Sequence, residues 1–377
     1  MEVNLLDLAA SCISSAIVAA DQITGLARKK NARLKDDGSI VTDADMAAQK
    51  VIIDGIRRVS EDVRIIGEEN EEEMMRSSSI TGYEHDLHDM FQLAQKEILV
   101  RYNATNNDNN DNNNSSTCIN ELPLAQQQQQ QPIEDASTTV SPKIESSCTN
   151  NGTSMEKMKV YEIDANRVSV FVDPLDATSA YAKGDYDPVS ILIAIILDNK
   201  TPCFGVICKP FGYPKQRSIL DTSCFSVYGG ILLGEAYIAG GGTVRNYKQE
   251  MDSLPRAVIS STRSEGVVQN FVTHMAEKDL IHHEPLLVSG AGEKSLRIIL
   301  RSENEGLWFF PKSGTSLWDV AACDALLRVT GGKLTDKYGN NMDYSKSRTK
   351  AENIDGVVAC FDETLHQKCI KIFGSWQ

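Results

Sequence analysis

Apolar and polar residues recur along this chain at spacings that predict both helices and strands. Near the N-terminus, apolar residues at helical spacing predict a core-facing helix. A second helical pattern covers 43–58, where Thr42 is a suitable N-cap and Asp45 follows three residues later. Two further helices are predicted over 290–300 and from 317 to the glycine pair at 331–332.

Short apolar runs separated by turn residues predict strands. The runs 190–197 and 203–211 flank the polar turn DNKTP and form a hairpin-like pair. Further strands are predicted at 63–67, 167–173 and 257–262, and as two strands within 227–242. Because the strands and helices are interleaved, the pattern indicates a layered, mixed α/β architecture.

Residues 71 to about 158 differ from the sequence around them. The stretch 85–100 can form a helix, but an asparagine-rich segment at 103–116 and six glutamines at 126–131 follow it. Such a composition buries too little apolar surface to offset its chain entropy, so we predict a disordered insertion at a surface turn. An expansion without function of its own is favoured over a partner-binding tail.

The remaining chain is predicted to form two domains. Residues 1–240 would make an N-terminal α+β domain, which carries the insertion and most candidate ligands. Residues 241–377 would make a C-terminal α/β domain that contributes substrate-binding elements. The length of 377 residues allows this division.

Charge and composition exclude several classes of protein. The chain has 38 basic and 52 acidic residues, and its net charge of −14 argues against binding to a nucleic-acid polymer. The longest strongly apolar run, 191–197, is far shorter than the roughly 20 residues of a membrane span. Glu2 and Asp7 lie where a signal peptide would carry basic residues. Nine scattered cysteines without a CxxC pair favour a reducing, cytoplasmic setting.

The candidate chemistry lies in acidic residues at the ends of predicted elements. Two like charges about 5 Å apart repel by roughly 3 kcal/mol at an effective dielectric near 20, so converging carboxylates need protons or cations. Oxygen ligands without histidine or cysteine favour Mg²⁺, Ca²⁺ or Mn²⁺. The acids in question are Asp43, Asp45, Glu68, Glu69, Asp173, Asp176 and Asp319.

The segment DPLDAT is suited to phosphoryl transfer at such a site. Asp173 is predicted to end a strand, and the turn lets Asp176 and the Leu175 carbonyl face the same point. A helix is predicted to follow, so the N–H groups of Ala177 and Thr178 would offer an anion site. The Thr178 hydroxyl is a candidate to orient the attacking water.

Four blocks of this sequence, in order, resemble the signature blocks of the inositol monophosphatase superfamily. They are VTDAD at 41–45, GEE at 67–69, DPLDAT at 173–178 and WDVAACDALLRVTGG at 318–332. The resemblance covers residues 1–70 and about 160–377. It implies an αβαβα sandwich and a lithium-sensitive, magnesium-dependent phosphomonoesterase.

The resemblance also implies roles for individual residues. The implied ligands of two or three Mg²⁺ ions are Glu68, Asp173, the Leu175 carbonyl, Asp176, Asp319 and, at a further ion, Asp45. Asp45, Thr178 and Glu68 are the implied catalytic residues, with Thr178 positioning the water. The alternative reading is structural, because Asp45 and Asp319 could each complete a capping box, with Thr42 and Ser316 respectively.

Two branches of the superfamily compete for the substrate. The segments 331–344 and 356–359 resemble the 3′(2′),5′-bisphosphate nucleotidases, which favours adenosine 3′,5′-bisphosphate. The segment GAGEKSL at 290–296 and the alanine before Thr178 resemble the inositol polyphosphate 1-phosphatases. Glu265 replaces the histidine that usually follows Thr-Arg-Ser in the nucleotidases, and its charge would repel a second phosphate.

The expected partner is therefore a small bisphosphorylated molecule, and no protein partner is inferred. The candidate substrate contacts are Ala177, Thr178, Gly290, Ala291, Gly292, Lys294 and Arg263. A non-catalytic nucleotide or phosphoinositide sensor is the alternative from another functional class.

Overall fold

The computed structural model describes residues 1–28, 31–35, 38, 40–69, 82–108, 161–213, 224–247, 253–301, 303–345 and 351–376. The helices are α1 (Leu5–Leu26), α2 (Asp43–Val59), α3 (Glu84–Asp108), α4 (Thr178–Lys183), α5 (Val267–Glu277), α6 (Ala291–Leu300), α7 (Leu317–Thr330) and α8 (Glu363–Trp376). The strands are β1 (Glu2–Asn4), β2 (Ala32–Leu34), β3 (Ile40–Thr42), β4 (Arg64–Gly67), β5 (Glu162–Asp164), β6 (Val168–Asp176), β7 (Ser190–Leu197), β8 (Thr201–Lys209), β9 (Phe225–Gly230), β10 (Glu235–Ile238), β11 (Arg256–Ser260), β12 (Leu286–Val288), β13 (Glu305–Phe310), β14 (Lys333–Thr335) and β15 (Val357–Cys360).

A six-stranded sheet forms the first half of the fold. Its strand order is β10-β9-β8-β7-β6-β4, and all neighbouring pairs are antiparallel except β4 with β6. Every residue of β7 is buried, because side chains pointing to opposite faces of the strand enter two different hydrophobic cores. The sheet is therefore covered on both faces.

A five-stranded sheet forms the second half, with the order β12-β11-β13-β15-β14. The strands β12, β11 and β13 are parallel, so their carboxyl ends lie at the same edge. The strands β15 and β14 complete the sheet in antiparallel pairing. Loops at the carboxyl ends of parallel strands are a common place for ligand sites.

The two sheets and the helices stack in five layers. α1, α2 and α3 share one hydrophobic core with the outer face of the first sheet. α6 and α7 contact strands of both sheets and so lie between them. α5 and α8 cover the second sheet, where Phe271 and Phe373 pack on Phe309 of β13. The predicted αβαβα sandwich is therefore confirmed.

Helix boundaries agree with the capping signals in the sequence. Thr42 and Asp45 form a capping box at the start of α2, and Ser316 and Asp319 form one at the start of α7. α7 ends at Gly331, whose φ of 86° favours glycine. The predicted helix ends near these residues are thus confirmed.

The strand that carries the DPLDAT motif continues further than predicted. The prediction that β6 ends at Asp173 is wrong, because the strand runs to Asp176, which pairs with Ser190 of β7. The register shifts between Asp173 and Asp176. Pro174 lies within this irregularity and has no N–H to donate to a neighbouring strand. The shift directs two aspartates of one strand towards the same region.

The predicted insertion is partly ordered. The prediction of disorder is wrong for α3, which packs against α1 and buries Leu87, Ala94 and Ile98. These three apolar positions are spaced by seven and four residues and so lie on one face of the helix. The charged and polar residues between them obscure this helical pattern of apolar residues in the sequence. Residues 71–81 and 109–158 of the predicted insertion lie outside the described residues.

The N-terminal helix α1 is long and apolar enough by composition to cross a membrane. However, 83% of its most apolar 18-residue window is buried inside the protein. Packing against α2 and α3 therefore accounts for its composition. The predicted domain boundary near residue 240 falls between the two sheets, and the division into domains stays a prediction.

Replacement of Ile98 by alanine tests whether α3 belongs to the core. Ile98 is fully buried, so I98A should lower the free energy of unfolding by about 2–5 kcal/mol. L93A on the same helix is the matched control, since Leu93 is 52% exposed. Urea unfolding followed by circular dichroism measures both variants. Equal stability of I98A and L93A would show that α3 is not part of the core.

Candidate active site

A cavity of about 550 Å³ contains most of the predicted site residues. It is lined by residues of the first sheet and of α4, by residues of the second sheet, and by residues at the starts of α6 and α7. The predicted residues that line it are Glu68, Asp176, Ala177, Thr178, Arg263, Gly290, Ala291, Lys294 and Asp319. Asp45, Asp173 and Leu175 are buried. The acids are thus brought together from four segments of the chain.

Two of the acids predicted as metal ligands are buried almost completely. Asp45 is 0% exposed and Asp173 is 1% exposed. The pKa of Asp45 is raised to about 7, chiefly by burial; hydrogen bonds from Thr42 oppose this shift, and the charge of the nearby Glu68 adds to it. The pKa of Asp173 is raised by burial and then by Glu68, Asp176 and Asp319. These acids therefore repel one another within the protein.

The same repulsion acts on Asp319 and Glu69. Burial raises the pKa of Asp319 to about 7, with Asp176 as the next cause. Burial and the charge of Glu68 raise the pKa of Glu69 to about 8. A cation placed among these carboxylates would stabilise their charged forms.

Several of the acids use one carboxylate oxygen to hold the protein together. Asp45 Oδ2 accepts from Thr42 N at 2.8 Å and Thr42 Oγ1 at 2.5 Å. Asp319 Oδ2 accepts from Ser316 N at 2.7 Å. The structural reading of these aspartates as helix caps is therefore correct, and it does not exclude a second role for the other oxygen of each.

Thr178 connects the DPLDAT motif to Asp45. Its hydroxyl lies 3.0 Å from Asp45 Oδ1 and 2.9 Å from the Leu175 carbonyl oxygen, and it donates to these acceptors. With its proton directed to them, the hydroxyl keeps lone pairs that can accept a hydrogen bond from water. Ala177 precedes it with a φ of 68°, which is rare for a residue other than glycine.

Asp176 is held from two sides. Its Oδ2 accepts from Gly292 N at 2.7 Å and from Ser190 Oγ at 3.1 Å. The N–H of Gly292 is therefore used within the protein, whereas Gly290 and Ala291 line the cavity. The predicted substrate contact of Gly292 stays a prediction.

Lys35 contributes a cation that the sequence reasoning missed. Its Nζ lies 2.6 Å from Glu69 Oε1 and 3.2 Å from Glu68 Oε1, and its side chain is only 12% exposed. Burial lowers the pKa of Lys35, but attraction to both glutamates outweighs this and leaves it raised. Glu69, one of the acids named from the sequence, is buried in this ion pair. No local motif marks Lys35, because its partners are more than thirty residues away.

Two predicted cations, Lys294 and Arg263, also line the cavity. Lys294 is buried, donates to the carbonyls of Gly290 and Val288, and lies over the Trp308 ring at 5.6 Å. Burial lowers the pKa of Lys294 to about 8. Arg263 donates to Gly314 O at 2.7 Å and lies over an aromatic ring.

Other lining residues were not predicted. They include the hydroxyls of Ser260, Thr262 and Ser289, the aromatic rings of Trp308 and Phe310, and Lys183. Ser260, Ser289 and Phe310 lie at or just beyond the carboxyl ends of β11, β12 and β13, a location that the parallel sheet explains. Glu265 is exposed and does not line the cavity, so its charge is a weaker obstacle to a second phosphate than the sequence suggested.

The donor set fits a hard divalent cation. The converging groups are carboxylate oxygens, which suit Mg²⁺, Ca²⁺ or Mn²⁺. The raised pKa values of Asp45, Asp173 and Asp319 indicate a deficit of positive charge at the same place. Among the residues that the structure describes, no three Asp, Glu, His or Cys side chains are arranged to hold one ion as they stand. An ion would therefore have to draw these side chains closer together.

Comparison with known proteins agrees with the superfamily resemblance of the sequence motifs. The model of the inositol monophosphatase family matches residues 87–375. A 3′(2′),5′-bisphosphate nucleotidase 1 of Dictyostelium discoideum is 26% identical over 388 aligned positions, which cover 99% of this chain and 98% of that protein. The human protein of the same name is 32% identical over 194 positions, 50% of this chain and 56% of that protein.

Solved structures support the fold. CysQ of Bacteroides thetaiotaomicron, described as a bacterial member of the inositol monophosphatase family, superposes with a TM-score of 0.52. The superposition covers 94% of this chain and 97% of CysQ at 15% identity. At this identity the likeness concerns the fold alone.

The raised pKa of Asp45 predicts a pH-dependent stability of the metal-free protein. Between about pH 4 and about pH 7 the unfolded chain loses the Asp45 proton while the folded protein keeps it. In EDTA, the free energy of unfolding should therefore fall as the pH rises. Because asparagine does not titrate, D45N should reduce this fall by a few kcal/mol.

Urea unfolding between about pH 5 and about pH 8 measures this effect. D198N is the control, because Asp198 is half-exposed and its pKa is lowered by Arg167, so it is ionised in both states throughout this range. An unchanged pH dependence in D45N would contradict the proposed cause.

Proposed function

Because this chain belongs to the inositol monophosphatase family, we propose that it is a metal-dependent phosphatase that removes one phosphate from a small bisphosphorylated substrate. Our first candidate is 3′(2′),5′-bisphosphate nucleotidase activity, which converts adenosine 3′,5′-bisphosphate to AMP. The names of the Dictyostelium and human relatives support this choice, as does the likeness of segments 331–344 and 356–359 to that branch.

The observation that carries the proposal is the convergence of acids and phosphate-directed groups in one cavity. Glu68, Asp176 and Asp319 line it, and Asp173 lies behind them. The cations Lys294 and Arg263 line the same cavity. A substrate with two phosphates suits such a cavity, since divalent ions held by the acids and the cations of the protein could each attract a phosphate.

We assign the metal ligands to Glu68, Asp173, the Leu175 carbonyl, Asp176 and Asp319, with Asp45 at a further ion. The proposed ion is Mg²⁺, in two or three copies. Bound divalent ions lower the pKa of water and neutralise charge on the leaving oxygen. The protein's own part is to hold the carboxylates at one place despite their repulsion.

Thr178 and Asp45 form the proposed water-activating pair. The Thr178 hydroxyl donates to Asp45 Oδ1, so its lone pair is directed to accept a proton from the attacking water. As this water attacks phosphorus, Thr178 takes up its proton and passes its own proton to Asp45, whose Oδ1 already accepts from the Thr178 hydroxyl. Ala177 and Thr178 also line the cavity at the start of α4, where backbone N–H groups favour an anion.

Inositol polyphosphate 1-phosphatase activity is the second candidate, with inositol 1,4-bisphosphate as substrate. The GAGEKSL segment at 290–296 and Ala177 support it, since Ala177 lines the cavity together with Gly290, Ala291 and Lys294 of that segment. The hydroxyls of Ser260, Thr262 and Ser289 suit a polyol as well as a ribose. A non-catalytic sensor is disfavoured, because a site that no longer catalyses has no need to keep carboxylates that repel one another close together.

Inhibition by lithium and a cytoplasmic location complete the proposal. The first follows from the family resemblance. The second rests on the nine scattered cysteines, of which the seven that the structure describes are all buried as free thiols.

A phosphate-release panel tests the function directly. It compares adenosine 3′,5′-bisphosphate, inositol 1,4-bisphosphate, inositol 1-phosphate and fructose 1,6-bisphosphate, each with Mg²⁺, with EDTA and with added Li⁺. We expect the highest kcat/KM for adenosine 3′,5′-bisphosphate, no release in EDTA and inhibition by Li⁺. A preference for inositol 1,4-bisphosphate would reverse the ranking, and no release from any bisphosphate would favour the sensor.

Replacement of Asp176 by asparagine tests the metal assignment. D176N should reduce turnover by more than about 100-fold, since changes to residues that merely support a ligand already lower metal affinity or activity by about 10- to 100-fold. D43N is the matched control, because Asp43 lies at the start of α2 but is 42% exposed and pairs with Arg33. Full activity in D176N, or an equal loss in D43N, would contradict the assignment.

A further inference from the structure

The orientation of Asp176 depends on two segments that are far apart in sequence. Gly292 belongs to the first turn of α6, and Ser190 begins β7; both donate to Asp176 Oδ2. The segments are in close contact, because a Cβ atom on Gly292 would lie 2.1 Å from Ser190 Oγ. Any shift of α6 relative to β7 therefore moves the hydrogen bonds that fix this carboxylate.

A buried ion pair lies directly behind this contact. Glu293, the residue after Gly292, accepts from Lys209 Nζ at 2.7 Å through its Oε2. The side chains of Lys209 and Glu293 are 1% and 7% exposed. Lys209 Nζ also donates to the carbonyl of Asp187, three residues before Ser190. One ammonium group thus contacts both segments that hold Asp176.

The stability of the fold is a poor explanation for this pair. Removing two charges from water is unfavourable, and apolar replacements of buried ion pairs often leave stability unchanged or improve it. A buried ion pair with directed hydrogen bonds does, however, fix the relative positions of the two segments that carry it. Glu293 Oε1 also accepts from Arg297 Nε at 2.9 Å, so both of its oxygens are fixed.

We propose that Lys209 and Glu293 are positioning residues for the metal ligand Asp176. Their ion pair holds the start of α6 against the segment 187–190, so that Gly292 and Ser190 keep one oxygen of Asp176 occupied and leave the other for an ion. This inference rests on the proposed function, because it takes Asp176 as a ligand.

The test measures ion binding itself, without substrate. Metal-free protein is titrated with Mn²⁺ by calorimetry, for the wild type and for K209M and E293Q. Both variants should bind Mn²⁺ about tenfold more weakly, the lower end of the effect expected for residues that orient a ligand. In activity assays, the Mg²⁺ concentration for half-maximal rate should rise by a similar factor, while kcat at saturating Mg²⁺ should change less.

E305Q is the matched control. Glu305 is fully buried and its Oε1 accepts from Arg297 Nη1 at 3.1 Å, so it belongs to the same charged network; among the described residues, its side chain has no hydrogen bond or ion pair with Lys209 or Asp187. Urea unfolding in EDTA gives the stability of each variant. E305Q should bind Mn²⁺ within about twofold of the wild type, even where its stability falls as much as that of E293Q.

The outcomes separate the inference from the proposed function. If the wild type binds no Mn²⁺, or D176N binds it equally well, the metal assignment itself fails. If binding depends on Asp176 but E293Q and K209M bind as the wild type does, the positioning role is overturned. An equal loss of binding in E305Q also overturns it, because a general loss of stability would then be the cause. If K209M does not fold, E293Q, which keeps the shape of the side chain, decides the question.

Discussion

The mutual repulsion of carboxylates gathered beside one cavity is the constraint on which the rest of this structure depends. Asp45 and Asp173 are buried, Glu68, Asp176 and Asp319 face the cavity, and burial and neighbouring acids raise the pKa values of Asp45, Asp173 and Asp319. Charges this close repel by several kcal/mol in total unless cations or protons neutralise them. The fold must therefore hold the acids in place by other interactions.

Those interactions occupy Oδ2 of three of the acids, while Oδ1 of Asp45 accepts from the Thr178 hydroxyl. Asp45 and Asp319 each cap a helix through Oδ2, and Asp176 accepts from Gly292 and Ser190 through its own Oδ2. Helix caps of this kind contribute about 1 kcal/mol each. Capping and ligand roles thus coexist in the same residue, and neither argues against the other. A divalent ion can then complete a site whose geometry the fold already restricts.

The sequence predicted the parts of this site that depend on local signals. The two capping boxes, the strands 190–197 and 203–211 and the DPLDAT segment all have short-range patterns, and the superfamily resemblance linked them. The parts that depend on contacts distant in sequence were missed. Lys35 reaches Glu69, Lys209 reaches Glu293, and α3 packs on α1, and no periodicity along the chain indicates such pairs. The extension of β6 through Pro174 was missed because proline usually ends a strand.

Anomalous diffraction from crystals grown with Mn²⁺ gives the most direct test of the proposed site, because it locates ions independently of any activity. We expect anomalous peaks within ligand distance of Glu68, Asp173, Asp176 and Asp319, with Lys35 displaced from Glu68 or sharing it. Peaks confined to other carboxylates, such as Asp43 on the surface, would contradict it. So would the absence of ordered Mn²⁺ at concentrations that support full activity.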